Sequence, residues 1–279
     1  MKVMVTGVKG QLGQDVVAHL NMQGIEAKGV DIDDFDLTNA VQTQEVIQAC
    51  KPDAVIHCAA YTAVDRAEEQ KELSYAVNVT GTKNIAEACK ALGSKMIYIS
   101  TDYVFGGSGT DLLMPDSPKL PQNQYGLTKL QGEEVVTKLL ENYFIVRTSW
   151  VFGKGHNFVK TMLRLGAEKP SLNVVCDQIG SPTYTDDLAS LLVEIAKSEK
   201  YGVYHATNEG FCSWSEFAQA IMEESGLECT IKPIPTSEYT TPAARPFNSR
   251  LSKDCLDKNG FNRLPHWRDA LKRYLKTLC

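Results

Sequence analysis

Short apolar runs and helically spaced apolar residues take turns along the first half of the chain. Lys2–Thr6 is a short apolar run, and Leu12, Val16 and Leu20 follow at four-residue spacing, the mark of one buried helix face. Ile25–Val30 reads as a second strand and Val41–Cys50 as a helix. Ala54–Ile56 reads as a buried strand that ends at His57 and Cys58. A helical pattern from about Leu73 to Leu92 leads into a strand at Met96–Ile99, and another from about Gln124 to Leu140 leads into Phe144–Val146. Strands alternating with helices predict βαβ units and a parallel sheet covered on both faces.

The second half is less regular. Leu172–Val175 and Val203–His205 read as strands, with a helical pattern at about Asp186–Ala196 between them, and this pair is expected to extend the same sheet. Pro, Ser and Thr gather around Pro233–Pro242, which predicts loop there. The stretch Pro233–Pro246 and a helix near Trp267–Leu275 suit a smaller lobe.

Composition removes several function classes. The 279 residues are 43% apolar and 23% charged, as in an ordinary soluble globular protein, and the net charge is -5. Without a long basic run, a nucleic-acid partner is not expected. No apolar run approaches the length of a membrane span, so no membrane partner is expected either. The chain enters its first strand at once, leaving no room for a signal-peptide apolar region. Its eight cysteines are scattered, with no Cys-x-x-Cys pair. Free thiols in a reducing, cytoplasmic setting are the expectation, and no metal site is assigned.

Candidate chemistry begins directly after the first strand. Gly7, Gly10 and Gly13 stand at Gly-x-x-Gly-x-x-Gly spacing and open the first helix. Gly7 allows the sharp turn, Gly10 lets a pyrophosphate approach the backbone, and Gly13 lets helix and strand lie close. The helix N-terminus offers free N–H groups and a positive dipole end to phosphates. Asp31 follows about 20 residues later at the end of the second strand, where an acid accepts hydrogen bonds from the adenosine ribose. A solvated acidic turn is the competing reading, since Asp33, Asp34 and Asp36 crowd the same place. The fold class is therefore α/β: a Rossmann-type doubly wound parallel sheet with a smaller C-terminal substrate-binding lobe. The division expected is 1–150 for dinucleotide binding, with about 172–208 returning to it, and 151–279 for substrate.

Tyr125 and Lys129 lie four residues apart on one face of a predicted helix. A phenol is a reluctant acid or base near pH 7, and a neighbouring ammonium is expected to lower its pKa. Chance alone supplies about one Tyr-x-x-x-Lys pair in a chain of this composition. Position carries the argument: the pair follows Ser100 and Thr101, hydroxyls at the carboxyl end of a strand, the edge at which α/β sheets bind ligands.

Together these features resemble the extended short-chain dehydrogenase/reductases. Five further stretches narrow the resemblance to the dTDP-4-dehydrorhamnose reductase family. They are Cys58–Asp65, Ser100–Phe105, Arg147–Trp150, Asn157–Met162, and Arg245-Pro246 with Asn248-Ser249. The match runs in order from Val3 to about Leu251. It implies NADPH or NADH as cofactor, a dTDP-linked sugar as substrate, and reduction of the sugar's C4 ketone. It implies Tyr125 as proton donor, Lys129 as holder of the nicotinamide ribose, and Thr101 as a hydrogen-bond partner of the reacting oxygen or of Tyr125. Gly10, Gln11 and Leu12 would line the pyrophosphate, and Asp31, Asp36, Leu37, Ala60, Tyr61 and Thr62 the adenosine half. Asp102, Tyr103, Trp150 and Asn157 would lie at the sugar, and Arg245 would suit its diphosphate. Trp150, at the ligand edge of the sheet, is expected to be part exposed, and a core tryptophan is the competing reading.

One departure matters. Related sugar-nucleotide dehydratases carry Thr-Asp-Glu where this chain has Thr101-Asp102-Tyr103, so the base for elimination is missing and hydride transfer remains. Two rivals stay open: a reductase of another nucleotide 4-ketosugar, and a non-catalytic subunit like the one that partners methionine adenosyltransferase. Some relatives dimerise around magnesium held by carboxylates. No carboxylate set here matches, so magnesium is not assigned and a homodimer stays an open expectation. His57, at a buried strand end, reads as a satisfied core residue, and Cys279 as a loose terminus.

Overall fold

The computed structural model describes residues 1–278, so the expectation for Cys279 lies outside the described residues. In the first half, strands β1 (Lys2–Thr6), β2 (Glu26–Val30), β3 (Ala54–His57), β4 (Lys95–Thr101) and β5 (Tyr143–Thr148) alternate with helices. The helices are α1 (Gln11–Met22), α2 (Ala40–Cys50), α3 (Val64–Glu69), α4 (Lys71–Tyr75), α5 (Thr82–Leu92) and α6 (Gln124–Leu139). The second half adds β6 (Val151–Phe152), α7 (Phe158–Glu168), β7 (Ser171–Val175), β8 (Ile179–Gly180), β9 (Thr183–Tyr184), α8 (Thr185–Lys197) and β10 (Gly202–His205). It ends with β11 (Asn208–Glu209), β12 (Cys212–Ser213), α9 (Trp214–Ser225), β13 (Thr230–Ile234), α10 (Asp254–Lys258), β14 (Leu264–His266) and α11 (Trp267–Lys276).

The main sheet has the order β10-β5-β4-β3-β1-β2, and every neighbouring pair in it is parallel. Side chains on successive residues of a strand point to opposite faces, so each strand feeds two cores. Val3, Val5, Ile97, Phe144 and Val146 meet Leu12 and Val16 of α1 and the apolar face of α8. Met4, Val55, Tyr98 and Ile145 meet Ile47 of α2, Ile85 of α5 and Val136 of α6. A third core, with Phe152, Leu172, Phe217, Trp267 and Tyr274, belongs to the second half. Because β1 lies between β2 and β3, the order reverses beside it, and a ligand crevice opens at the carboxyl ends there.

The structure departs from the expected elements in three places. Val203–His205 does join the sheet, but Leu172–Val175 does not. It sits in β7, which pairs with β13 in a separate two-stranded sheet, its Leu172 and Val174 turned into the third core. Pro233, expected in loop, lies in β13 opposite Val174. Thr230 donates to the Pro170 carbonyl at 2.9 Å and the Ile234 carbonyl accepts from Cys176 at 2.9 Å, so in the alternation Pro233 faces away from β7 and its missing N–H costs no ladder bond. The helix expected over Leu73–Leu92 is interrupted by a π-helical turn at Ala76–Gly81. Its Asn78 accepts from the N–H of Tyr61 at 2.8 Å and donates to the Tyr61 carbonyl at 3.1 Å and the Thr128 hydroxyl at 3.0 Å.

Candidate active site

The glycine turn is shaped by close approach. Gly7 has φ +71°, and a Cβ there would lie 2.7 Å from the Ala59 nitrogen. A Cβ at Gly13 would collide with the Gly7 carbonyl. Gly10 caps α1 without a side-chain bond, so the first N–H groups of the helix are left for a ligand. A cradle that no side chain fills, above open helix donors, fits the pyrophosphate of a dinucleotide.

A cavity of about 810 Å³ runs from this turn to the far side of β5. At one end Asp31 accepts the Lys9 N–H and the Ile32 N–H, each at 2.8 Å, while the Lys9 ammonium turns to Asp33. Asp36 accepts from the Thr38 N–H at 2.9 Å and its hydroxyl at 2.8 Å. Leu37, Ala60, Tyr61 and Thr62 complete that end. Of the site residues read from the sequence, all but Arg245 line the cavity.

At the other end, β4 stops at Thr101 and α6 supplies Tyr125 and Lys129. The Asn123 side chain caps α6 by accepting the Gly126 N–H at 2.8 Å, and its amide donates to the Ala244 carbonyl at 2.7 Å. A Cβ at Gly126 would strike the Tyr103 carbonyl, so glycine lets the helix reach the turn at Asp102–Val104. Tyr103 and Tyr125 consequently meet edge to face, with ring centres 5.6 Å apart. The Thr101 hydroxyl donates to Asp102 at 2.9 Å, and Ser249 donates to the other oxygen of that carboxylate at 2.5 Å.

Burial governs the ionisation of this end. It pushes Asp102 up to about 6, against the pull of the Ser249 and Thr101 bonds. It draws Lys129 down to about 7, while Glu133, one turn further along α6, works the other way. The Lys129 ammonium lies 4.0 Å above the Tyr98 ring. Tyr125 is raised well above its ordinary range, by burial first and then by the Asp102 charge, with the Thr101 hydroxyl opposing. This corrects the expectation that Lys129 lowers it. In the dry wall of the cavity desolvation of the phenolate and the Asp102 charge set the direction, and Lys129 is not among the groups that act on it.

Three other expectations meet a more particular structure. Trp150 is half-buried in the cavity wall, stacked on Trp214 with ring centres 3.7 Å apart, and held at φ +50°. Asn157 caps α7 by accepting the Lys160 N–H at 3.0 Å. Its amide donates to the Gly153 carbonyl at 2.7 Å, the Tyr274 hydroxyl at 2.9 Å and Gln11 at 3.3 Å. That places it beside the glycine turn rather than with Asp102. Arg245 is not brought into the cavity. Its guanidinium forks onto Asp65 at 2.9 and 2.8 Å, so a carboxylate of the chain already fills the planar partner position.

The buried support behind the site was missed in the sequence. Glu133 takes a forked ion pair from Arg147 at 2.8 and 2.7 Å and a bond from Ser100 at 2.6 Å. Its spacing of four from Lys129 and eight from Tyr125 was the available signal, because all three share one helix face. His57 is a satisfied core residue as expected, bonded to Thr6 at 2.7 Å and Thr82 at 3.2 Å and kept neutral by burial. Among the described residues, no group of three His, Cys, Asp or Glu side chains is placed to hold a metal ion. Nor is any helix among them long and apolar enough to cross a membrane.

A family model described as the RmlD substrate binding domain matches residues 1–279. The chain is 42% identical over 276 residues to the spore coat polysaccharide biosynthesis protein SpsK of Bacillus subtilis (strain 168), covering 99% of this chain and 97% of that protein. It is similar to the crystal structure of a dTDP-4-dehydrorhamnose reductase from Clostridium acetobutylicum, at 40% identity and TM-score 0.98, covering 100% of this chain and 99% of the other. The dTDP-4-dehydrorhamnose reductase of Bacillus anthracis str. Ames, solved in complex with NADP, matches at 43% identity and TM-score 0.96, covering 99% of this chain and 100% of the other.

Proposed function

The chain belongs to the RmlD substrate-binding-domain family, and on that premise we propose that it reduces the C4 ketone of dTDP-4-dehydro-L-rhamnose to dTDP-L-rhamnose with NAD(P)H, the last step of dTDP-rhamnose synthesis. One observation carries the reading. A single cavity joins the open N-terminus of α1 at one end to Tyr125, Lys129, Thr101 and Asp102 at the other.

Bound in that cavity, the reduced nicotinamide supplies a hydride to the sugar carbon. Tyr125 gives the sugar oxygen its proton. Burial keeps the phenol protonated but makes it a weaker acid, so the proton moves as negative charge develops on the sugar oxygen. Lys129 holds the nicotinamide ribose and, when charged, stabilises the tyrosinate left behind. Thr101, fixed by its bond to Asp102, presents its remaining lone pair to Tyr125 or to the sugar. Gly10, Gln11 and Leu12 hold the pyrophosphate on the α1 N-terminus. Asp31 receives the ribose hydroxyls on lone pairs that the Lys9 and Ile32 N–H groups leave free. Tyr103 and Trp150 form the sugar wall, and Asn157 acts through Gln11. Arg245 reaches a diphosphate by exchanging the Asp65 carboxylate for phosphate oxygens.

Oxidation of NADH and NADPH across a panel of nucleotide 4-ketosugars tests this directly. The highest kcat/KM is expected on dTDP-4-dehydro-L-rhamnose. Higher efficiency on another sugar would move the assignment within the fold, and no turnover on any would remove it.

A further inference from the structure

Thr148, the last residue of β5, is 6% exposed and forms part of the cavity wall. Its hydroxyl oxygen is buried and has no hydrogen-bond partner among the described residues. The other hydroxyls at the ends of β4 and β5 are all engaged. Ser100 donates to Glu133 at 2.6 Å, Thr101 to Asp102 at 2.9 Å, and Ser149 to the Ser181 carbonyl at 2.9 Å. Two more buried side-chain oxygens lack a hydrogen-bond partner, on Gln131 and Glu209, and neither residue lines the cavity. A buried polar group left unpaired is costly, so one on a residue that lines a ligand cavity points to a partner that the ligand brings.

The sheet decides which part of the ligand that is. Thr148 and Thr101 are register partners across β5 and β4, so their side chains share a face. It is the face of α1, since Ile97, Phe144 and Val146 in the same alternation pack with Leu12 and Val16. Tyr125 comes from α6, whose Val136 packs on the opposite face. A dinucleotide seated on the α1 N-terminus would enter along this face, bringing its nicotinamide past the end of β5 with the sugar beyond it towards Tyr125. We propose that the Thr148 hydroxyl hydrogen-bonds the nicotinamide carboxamide and so fixes the rotation of the ring, and with it the ring face presented to the sugar. The oxygen is buried in the ligand-free protein, so this contact includes a rotation about χ1 that turns it towards the ligand. This inference rests on the reading of the chain as a nicotinamide-dependent reductase.

The test compares NADH with ADP-ribose, which has the same pyrophosphate and adenosine but no nicotinamide. Dissociation constants are measured calorimetrically, without sugar, for wild type, Thr148→Val and Thr148→Ser, alongside the Tm of each ligand-free protein. Thr148→Val is expected to bind NADH about threefold to tenfold more weakly, the worth of one neutral hydrogen bond. Its ADP-ribose binding should stay within about twofold, and its Tm should not fall, because the hydroxyl removed has no partner in the protein. Thr148→Ser should keep wild-type NADH binding. Unchanged NADH binding in Thr148→Val overturns the proposal. Equal weakening of NADH and ADP-ribose, or a lower Tm, overturns it in favour of a structural role. Unchanged NADH binding with a raised KM for the sugar overturns it in favour of a sugar contact. A wild-type protein that binds neither NADH nor ADP-ribose removes the reductase reading itself.

Discussion

Tyr125 and Lys129 stand one helical turn apart in the same dry surroundings, and burial pushes both towards neutrality. For the tyrosine this keeps the proton in place but weakens the acid, so donation relies on the negative charge that hydride transfer develops on the sugar oxygen. Tyr125→Phe keeps the ring and removes the acid, so turnover should fall by roughly two to four orders of magnitude. The NADH dissociation constant should hardly move, and stopped-flow kinetics with a binding titration checks both halves. The lysine leaves its mark on stability. Its folded value of about 7 lies below the ordinary 10.5, so between those values the unfolded chain binds the extra proton. Stability must therefore rise with pH across that window as the penalty on the buried charge is relieved. Lys129→Met should remove this rise from the Tm of the ligand-free protein and should be no less stable at pH 7. A wild-type Tm that falls from pH 7 to pH 9, with Lys129→Met falling in parallel, would exclude the assignment.

At the level of elements, the aromatic wall joins Trp150, two residues past the end of β5, to the first turn of α9. Trp150 adopts a left-handed backbone conformation that bulky residues seldom hold, which indicates that its surroundings dictate its place. Trp214 lies flat against it, and a Cβ on Gly180 would come within 2.8 Å of the ring. Trp150→Ala should cost about 2 kcal/mol of folding stability, less than for a fully buried tryptophan. It should also raise the KM for the sugar about tenfold and leave that for NADH unchanged, through loss of one aromatic contact. Calorimetry and kinetics on one sample decide between wall and core. The elements themselves were unequally legible. β1, β3, β4 and β5 could be read because a strand buried on both faces is an apolar run, and a helix covering it keeps a four-residue rhythm; β2, an edge strand with Glu26 and Lys28 exposed, was legible from its place between two helical patterns. The pairing of β7 with β13 could not, because nothing inside Leu172–Val175 says which neighbour it meets. The π-turn was hidden for a related reason: it adds a residue to one turn, and the apolar pattern around it still reads as helix. In the site, the cavity-lining residues were legible through motifs next to strand ends. The tie between Arg245 and Asp65 was not, since it joins segments far apart in the chain.

For the molecule as a whole, the chain leaves the main sheet after β5 and then returns to finish it. β10 hydrogen-bonds along β5, and α8 covers the face formed by Leu12, Val16 and Leu20. Thr185 donates to Asp15 at 2.6 Å and His19 meets Asp186 at 2.8 Å, so the return is stitched by polar contacts as well. The half of the chain that carries the glycine turn is thus not a transferable cassette. Cut at residue 150, it would expose the unpaired backbone of β5 as an edge and strip the cover from an apolar face, both of which promote aggregation. Expressed alone, residues 1–150 should be insoluble. Chimaeras between relatives should follow the same rule: a crossover at 150 mixes two parents across the β5–β10 and α1–α8 seams, whereas a splice that carries 185–205 along with the first half keeps each seam within one parent. Recombination in this fold is thereby confined to exchanging the inserted and trailing segments around a core that must be inherited whole.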